Sequence, residues 1–157
     1  MAIITQDLEE NKSKNILVTG GAGFIGSHIV DRLVNMGHDV IVIDDESAEA
    51  HDHFYYNTKA EYVIQSIVDY DLIKEFFTDV NYVFHLAAES RIQPTLENPI
   101  LATLTNTTGT CTVLQCAKEA NVKRVVYSST SSAYGLKNKI PLVETMPEDC
   151  LNPYSVT

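Results

Sequence analysis

The sequence predicts an α/β fold, a doubly wound parallel sheet with helices on both faces. Short apolar runs that indicate strands alternate with stretches in which apolar residues recur at helical spacing. Residues 39–44 (DVIVID) are apolar on both strand faces, which is typical of a strand covered by helices. Ligands of such sheets bind beyond the carboxyl ends of the strands, so the residues after each strand are the first candidates for a site.

The first predicted elements form a βαβ unit. A short strand at residues 15–19 breaks into a glycine-rich run at residues 20–23 (GGAG). Apolar residues then recur at helical spacing, at Ile25, Ile29, Leu33 and Met36. Gly37 follows, where a helix commonly ends, and residues 39–44 form the second strand.

The remaining elements continue the alternation. Strands are predicted at residues 61–65, 82–88 and 122–129, and a short helix at residues 69–77. A long helix precedes the last strand: Asn98 can cap it, Pro99 suits its first turn, and Asn121 ends it. Its predicted buried face consists of Leu104, Thr107, Cys111, Leu114 and Ala117. Residues 137–153 contain three prolines and no periodicity, which predicts a loop.

Composition fits one globular domain. The chain has 157 residues, 45% of them hydrophobic, and we divide it into a polar leader at residues 1–14 and a domain at residues 15–157. A formal net charge of -10 without a basic cluster argues against a nucleic-acid partner. The leader does not resemble a secretion signal, and no apolar run could span a membrane.

The cysteines favour a reduced, cytoplasmic protein. Cys111, Cys116 and Cys150 are an odd number and lack a metal-ligand spacing. We therefore expect them to be small apolar residues that are buried or half-buried.

Three glycines predict a phosphate-binding turn. Gly20, Gly23 and Gly26 are spaced G-x-x-G-x-x-G between a strand and a helix, so the backbone can approach a pyrophosphate at the helix N-terminus. Glycine also serves ordinary tight turns, so the triplet alone is a weak signal. Asp44 ends the second strand, where its carboxylate can accept both ribose hydroxyls of an adenosine and would repel a 2′-phosphate. Together they predict a Rossmann-type dinucleotide-binding fold, with NAD favoured over NADP.

Several motifs resemble the extended short-chain dehydrogenase/reductase family, and in particular its NAD-dependent epimerases and dehydratases of nucleotide sugars. The resemblance begins with residues 19–28 (TGGAGFIGSH) and runs to the last residue. It includes residues 85–88 (HLAA), Asn98 and Pro99 with Asn106 and Gly109, residues 125–130 (VVYSST) with Tyr134 and Gly135, and residues 152–155 (NPYS). As a set these motifs are specific.

The resemblance implies which residues contact NAD. It places Phe24 and Ile25 at the pyrophosphate turn, Asp44 and Asp45 at the adenosine ribose, Leu86, Ala87, Ala88, Ser128 and Tyr154 along the cofactor, and Asn106 behind it. The family often has an aspartate and an apolar residue at the adenine, whereas this sequence has Ser66 and Ile67. A serine can still bond the adenine amine.

Thr130 and Tyr154 are the catalytic residues that the resemblance implies. In the family a tyrosine takes the proton of a sugar hydroxyl, a serine or threonine hydrogen-bonds the same oxygen, and the hydride passes to NAD. A tyrosine, with a reference pKa of about 10, is a poor base unless a nearby positive charge stabilises its phenolate. The family supplies that charge with a lysine four residues later, and this chain ends at Thr157. We expect the reading frame to continue with that lysine and a substrate-binding part, and the 157-residue chain alone to be inactive.

Other polar residues receive simpler interpretations. His51, Asp52 and His53 lie in a polar stretch without further ligands, so we predict a solvated loop and no metal site. His85 is predicted to pack within the sheet. Glu89 and Arg91 follow a strand and are interpreted either as a surface ion pair or as neighbours of the nicotinamide or substrate.

The resemblance leaves several reactions open. A 4-keto sugar can be re-reduced from its other face, or it can lose water, which needs further acid and base groups. The family's dehydratases place an acidic pair just after the threonine, whereas Ser131 and Ser132 follow Thr130 here. We therefore favour a homodimeric UDP-hexose 4-epimerase over a dehydratase, decarboxylase or reductase. A non-catalytic dinucleotide-binding module or an inactive fragment is a different class, which the codons after Thr157 would distinguish.

Overall fold

A computed structural model describes residues 8, 12–48 and 53–157 of the chain. Its five strands form one parallel sheet in the order β3-β2-β1-β4-β5, namely β1 (Asn15–Thr19), β2 (Asp39–Asp44), β3 (Glu61–Ile64), β4 (Tyr82–His85) and β5 (Arg124–Tyr127). This confirms the predicted fold class. The strand order reverses at β1, which lies between β2 and β4, and this is where such sheets bind ligands.

Helices connect the strands. They are α1 (Phe24–Asn35), α2 (Tyr70–Ile73) with a 3-10 turn (Lys74–Phe77), α3 (Ile92–Glu97), α4 (Pro99–Ala102), α5 (Thr110–Glu119), a 3-10 turn (Ser131–Tyr134) and α6 (Pro153–Val156). A π-helical segment (Thr103–Gly109) joins α4 to α5, so the predicted long helix is continuous. Asn98 caps it by accepting a hydrogen bond from Leu101 N at 3.1 Å. None of the described helices has the length and apolarity to cross a bilayer.

Side chains that alternate along β1 divide the core into two layers. Ile16 and Val18 face one side of the sheet and pack with Val30 of α1, whereas Leu17 faces the other side and packs with Val113 of α5. All of these side chains are inaccessible to solvent. Most of the polar leader lies outside the described residues, but Leu8 is buried against the α1 layer.

The strands end earlier than predicted. The strand expected at residues 82–88 stops at His85. Leu86 N still donates to the carbonyl Thr19 O at 3.1 Å, whereas Ala87 N bonds to the Thr19 side chain instead of continuing the ladder. Leu86 N and Ala87 N both donate to Thr19 Oγ1 at 3.2 Å. The strand expected at residues 122–129 is likewise confined to β5. Short strands leave irregular segments at the carboxyl edge of the sheet, where a ligand can enter.

The predicted buried face of the long helix was wrong at four of its five positions. Leu104, Thr107, Cys111 and Leu114 are exposed, and Ala117 alone is buried. The face against the sheet instead consists of Ala102, Asn106, Gly109, Val113, Cys116 and Ala117. The π segment shifts the helical phase, and Gly109 allows close approach, since a Cβ there would lie 2.6 Å from Ile67 Cδ1.

All three cysteines are free thiols. Cys116 is buried and Cys150 is half-buried, as expected, but the expectation was wrong for Cys111, which is exposed on the outer face of α5.

Candidate functional site

A cleft of about 360 Å³ opens at the carboxyl ends of the central strands. Its lining includes most of the residues predicted to contact a dinucleotide: Gly20, Gly23, Phe24, Ile25, Gly26, Asp44, Asp45, Ile67, Leu86, Ala87, Ala88, Ser128 and Tyr154. They come from the segments that follow β1, β2, β3, β4 and β5, and from α6. The parallel sheet therefore gathers at one edge residues that are far apart in sequence.

The glycine turn after β1 has no room for side chains. Gly20 has a φ of +69°, and its N–H donates to Ile43 O at 2.9 Å. A Cβ at Gly20 would lie 2.6 Å from Ala87 N, and one at Gly26 would lie 2.0 Å from Gly20 O. A side chain at either position would collide with the protein's own backbone, so glycine is required there, and the bare backbone of the turn lines the cleft.

Helix α1 presents its N-terminus to this turn. Gly23 is its N-cap and provides no side-chain hydrogen bond, and the first turn contains no acidic residue. The first N–H groups of a helix have no partners within the helix, and the helix dipole favours an anion there. Phe24 and Ile25 flank the position and are exposed. The geometry fits a pyrophosphate.

Asp44 closes the other side of the turn. Its Oδ2 accepts a hydrogen bond from Ala22 N and its Oδ1 accepts one from Glu46 N, each at 2.9 Å. Burial is the main cause that raises the pKa of this carboxyl above its usual range. Asp45 lies alongside, and no lysine or arginine is among the described residues that line the cleft. This end of the cleft has carboxylates and no basic side chain, so it suits ribose hydroxyls and disfavours a 2′-phosphate.

Ser66 and Ile67, the residues predicted to contact the adenine, lie in different positions relative to the cleft. Ile67 lines the cleft, whereas Ser66 is not among the residues lining it and its Oγ accepts a 3.4 Å hydrogen bond from Val68 N. The role of Ser66 at an adenine stays a prediction. Gln65, which sequence reasoning missed, lines the cleft and offers an amide there.

A second recess of about 190 Å³ adjoins the cleft and contains both catalytic candidates. The two cavities share Ala87, Ala88, Ser128, Ser129 and Tyr154. Thr130 caps a 3-10 turn by accepting a hydrogen bond from Ser132 N at 3.1 Å, which leaves its hydroxyl hydrogen to donate. Thr130 and Tyr154 thus face one space.

Tyr154 lies in the first turn of α6, which its own sequence stabilises. Asn152 and Ser155 form a capping box, in which Asn152 Oδ1 accepts from Ser155 N at 3.0 Å and Ser155 Oγ accepts from Asn152 N at 3.2 Å. Pro153 occupies the first helical position, although the sequence predicted it as the end of a loop. These bonds fix the tyrosine's backbone beside the recess.

Asn106 joins the cleft to the end of the chain. Its buried amide accepts a hydrogen bond from Glu89 N at 2.7 Å and donates to Glu89 O at 3.1 Å and to Thr157 Oγ1 at 3.0 Å. It lines the recess, and not the main cleft. Glu89 lines the cleft, whereas Arg91 does not, so of the pair considered from sequence only Glu89 lies at the candidate site.

Asp149, which sequence reasoning missed, holds the loop between the two catalytic candidates. Its buried Oδ2 accepts from Leu136 N at 3.0 Å and from Lys137 N at 3.1 Å, and its own N donates to Ala133 O at 2.8 Å. Hydrogen bonding to the Lys137 ammonium, 2.8 Å away, is the main cause that lowers the pKa of the Asp149 carboxyl. The bonds connect the turn after Thr130 to the segment before Tyr154.

Other residues of the site carry weaker sequence signals. The cleft is also lined by Ser47, Ala48, Phe54, Ser90, Thr105 and Ser129, and the recess by Thr110, Tyr127, Ala133, Glu148, Cys150 and Val156. Ser47, Ala48, Ser90 and Ser129 follow a strand, which is the signal that could have found them, whereas the others carry no such signal. His85 is buried in the sheet, as predicted. Of the polar stretch interpreted as a solvated loop, His51 and Asp52 lie outside the described residues, and His53 is exposed.

Known proteins resemble the chain in both sequence and structure. Residues 17–157 match the profile of the family described as GDP-mannose 4,6 dehydratase. A putative UDP-glucose 4-epimerase of Methanocaldococcus jannaschii is 39% identical over 144 residues, which cover 90% of this chain and 47% of that protein.

Two solved structures extend the comparison. The UDP-glucose 4-epimerase of Thermotoga maritima, solved with UDP-glucose, has a TM-score of 0.84 and 38% identity, over 90% of this chain and 47% of that one. A dTDP-glucose 4,6-dehydratase of Streptomyces venezuelae, solved with NAD and TYD bound, has a TM-score of 0.79 and 33% identity over the same shares. This chain therefore spans about half the length of these relatives, which include both epimerases and dehydratases. Since the family profile matches nearly all of it, the chain belongs to the nucleotide-sugar epimerase/dehydratase family that the GDP-mannose 4,6 dehydratase profile represents.

Proposed function

We propose that residues 15–157 form the NAD-binding domain of a nucleotide-sugar 4-epimerase. The observation that carries the proposal is the junction of two cavities: a glycine-floored cleft with Asp44 at one end, and a recess that contains Thr130 and Tyr154 at the other. A dinucleotide that lies along the cleft would bring its nicotinamide towards these two hydroxyls.

The residues of the cleft fit NAD. Gly20, Gly23 and Gly26 leave backbone without side chains along the cleft, and the uncapped start of α1 suits the pyrophosphate. Asp44 is held by two backbone N–H groups, with lone pairs remaining for ribose hydroxyls. Bound NAD would supply a reversible hydride acceptor for the sugar carbon.

Each catalytic candidate has a specific task in this proposal. Tyr154 takes the proton of a sugar hydroxyl and later returns it. Thr130, whose oxygen already accepts from Ser132 N, donates its hydrogen to the same sugar oxygen and fixes its position. Asn106 and Asp149 are positioning residues, because each bonds the backbone of a segment that borders the recess.

Epimerisation is favoured over dehydration by the residues after Thr130. Elimination of water needs additional acid and base groups, and the positions that follow are Ser131 and Ser132. Dehydration is the second candidate, because the carboxyl residue Glu148 lines the recess from the far side of the loop and could serve as such a group.

The reaction is tested with the longest chain that the reading frame encodes, given UDP-glucose and NAD. We expect UDP-glucose and its C4 epimer to equilibrate without net consumption of NAD, and Thr130→Val to lower kcat by about 100-fold, as for loss of a positioned catalytic group. Ser132→Ala is the control, since Ser132 contributes a backbone N–H and not its side chain. Accumulation of a 4-keto-6-deoxy sugar would favour dehydration, and the absence of any sugar product would favour a binding module.

We also propose that the protein is a cytoplasmic homodimer. Its free thiols suit a reducing compartment. On the outer face of the long helix, Ile100, Leu104 and Leu114 are exposed together with Cys111, and exposed apolar surface of this kind marks an interface. We expect a Leu104→Lys, Leu114→Lys variant to be monomeric in analytical ultracentrifugation, with Leu72→Lys, at an exposed leucine on α2, as the control. A variant that keeps the oligomeric state of the original protein would contradict the assignment.

A further inference from the structure

Three side chains form a buried line from the glycine turn to the recess. His85, at the end of β4, lies between Thr19 of β1 and Thr110 at the start of α5. Thr19 Oγ1 is 2.6 Å from His85 Nδ1, and His85 Nε2 is 2.9 Å from Thr110 Oγ1. The proposed reaction uses none of these groups, although His85 and Thr19 are both almost completely buried.

The hydrogen bonds of Thr19 fix the direction of the line. Its Oγ1 accepts from Ala87 N at 3.2 Å, and it shares the hydrogen of Leu86 N, 3.2 Å away, with the carbonyl Thr19 O at 3.1 Å. Since both backbone N–H groups already approach the lone pairs of Oγ1, the arrangement favours donation of the Thr19 hydrogen to His85 Nδ1. Nδ1 then has no proton, and the ring proton lies on Nε2, which donates to Thr110 Oγ1.

The histidine remains neutral in this arrangement. Burial lowers the pKa of His85 to about 4, so at neutral pH the ring has one proton. A single tautomer therefore satisfies both neighbours, whereas the other would set two donors against each other at the short Nδ1 contact.

Thr110 differs from Thr103 and Thr112 of the same long helix. Thr103 and Thr112 donate their hydroxyl hydrogens to carbonyl oxygens four residues earlier, at 2.9 and 3.0 Å. Among the described hydrogen bonds, Thr110 makes no such bond, and it accepts from His85 instead. Its hydrogen is therefore available to the recess, which its side chain lines with Thr130 and Tyr154.

We propose that Thr110 is a ligand-binding residue, a hydroxyl donor that His85 holds ready for an oxygen acceptor on the nicotinamide end of the dinucleotide or on the sugar. Thr19 and His85 are its positioning residues. The identity of the ligand rests on the proposed function, whereas the direction of the hydrogen bonds does not. Together with Thr130, Thr110 makes the recess a donor site that selects oxygen acceptors.

Nuclear magnetic resonance of the chain labelled with 15N-histidine tests the direction without any ligand. We expect His85 to show a protonated Nε2 and an unprotonated Nδ1, unchanged from pH 8 to pH 5.5. A protonated Nδ1, or a mixture of tautomers at His85, would overturn the proposal.

Calorimetry tests the ligand contact. Thr110→Val removes the hydroxyl at nearly constant volume, and Thr110→Ser keeps it. We expect Thr110→Val to weaken binding of NAD, or of UDP-glucose to the NAD-saturated longest chain of the reading frame, by about five-fold, with ADP binding unchanged and with Thr110→Ser close to the original protein. Equal weakening of ADP, or no weakening of either ligand, overturns the proposal. If the unmodified protein binds neither NAD nor ADP, the proposed function fails and this ligand contact fails with it, whereas the tautomer result stands by itself.

Discussion

The proposed adenosine end and the proposed reactive end of the site are built differently. Around the glycine turn, four of the five residues of β1 and three of the six of β2 are buried, and each strand pairs with strands on both sides. At the reactive end, β5 is an edge strand among the described residues, and its four side chains are half-buried or exposed. The segment beyond it contains two short helical turns and a loop held by side-chain bonds. The first region is stabilised by its core, and the second by a few polar contacts.

The residues proposed to bind adenosine diphosphate and those proposed to react therefore depend on different parts of the fold. Gly20, Gly26 and Asp44 lie close together in sequence, within one βαβ unit. The strands and helix of this unit share one buried core layer. Thr130 and Tyr154 come from separate segments, which long-range bonds such as those of Asp149 and Asn106 bring to one recess. We therefore expect adenosine diphosphate binding to survive damage to the reactive end, and not the reverse.

Two glycine-to-alanine substitutions test whether ADP binding survives damage to the reactive end, because each would place a new Cβ at the same distance from a backbone oxygen. Their effects are the largest we expect. A Cβ at Gly26 would lie 2.0 Å from Gly20 O, and one at Gly135 would lie 2.0 Å from Asp149 O. Gly26→Ala should lower the free energy of unfolding by about 3 kcal/mol, because the new Cβ would clash with a backbone oxygen that cannot easily move. The variant should also lose binding of both NAD and ADP. Urea unfolding and calorimetry measure these effects.

Gly135→Ala is the counterpart at the reactive end. The residue has a φ of +56°, so alanine is strained there as well as crowded. We expect this variant to bind ADP as the original protein does, while catalysis by the longest chain of the reading frame is lost. Loss of ADP binding to the same extent as in Gly26→Ala would show that the two ends are not independent.

A pH titration of stability tests the buried line that joins the two ends. The pKa of His85 is lowered by burial to about 4 in the folded chain, against 6.5 as its ordinary value. The unfolded chain therefore binds the proton first, and stability falls as the pH decreases from about 6.5 to about 4, by roughly 3 kcal/mol in total.

The His85→Gln variant isolates this contribution. A glutamine can offer an acceptor and a donor but does not titrate, so we expect the decline between these pH values to be shallower than in the original chain by the same amount. The carboxyl groups of the chain contribute equally to the pH dependence of both proteins, so their contribution cancels in the comparison. Identical slopes in the two proteins would contradict the account of His85 as a buried neutral ring.

The smallest expected effect concerns Asp44 and cofactor choice. Asp44→Ala should weaken NAD binding by about 10- to 100-fold, which corresponds to the loss of charge-assisted hydrogen bonds, and should weaken NADP binding less. Asp39→Ala is the control, because Asp39 lies at the opposite end of the same strand and bonds Ser13. Tighter binding of NADP than of NAD by the unmodified protein would refute the assignment of Asp44.

The sequence predicted the binding end better than the reactive end. Strand β2 was predicted at its observed bounds, because an uninterrupted apolar run between a glycine and two acids has few other structures available. The long helix was predicted as an element, but its buried face was not, since Leu104 and Leu114 are apolar and yet face outward. Hydrophobicity alone cannot distinguish a core face from a face that awaits another partner.

By itself the sequence determined the parallel α/β fold, the glycine turn, the position of Asp44 and the family resemblance, because these depend on local patterns and short-range geometry. Only the tertiary structure decided that Asp149 and Asn106 connect segments around the recess, that Gln65 and not Ser66 lines the cleft, and that Thr110 lies within hydrogen-bond distance of His85. The physical reason is that a hydrogen bond between residues far apart in the chain leaves no periodic signal. It exists only when the packed sheet brings its donor and acceptor to the same place.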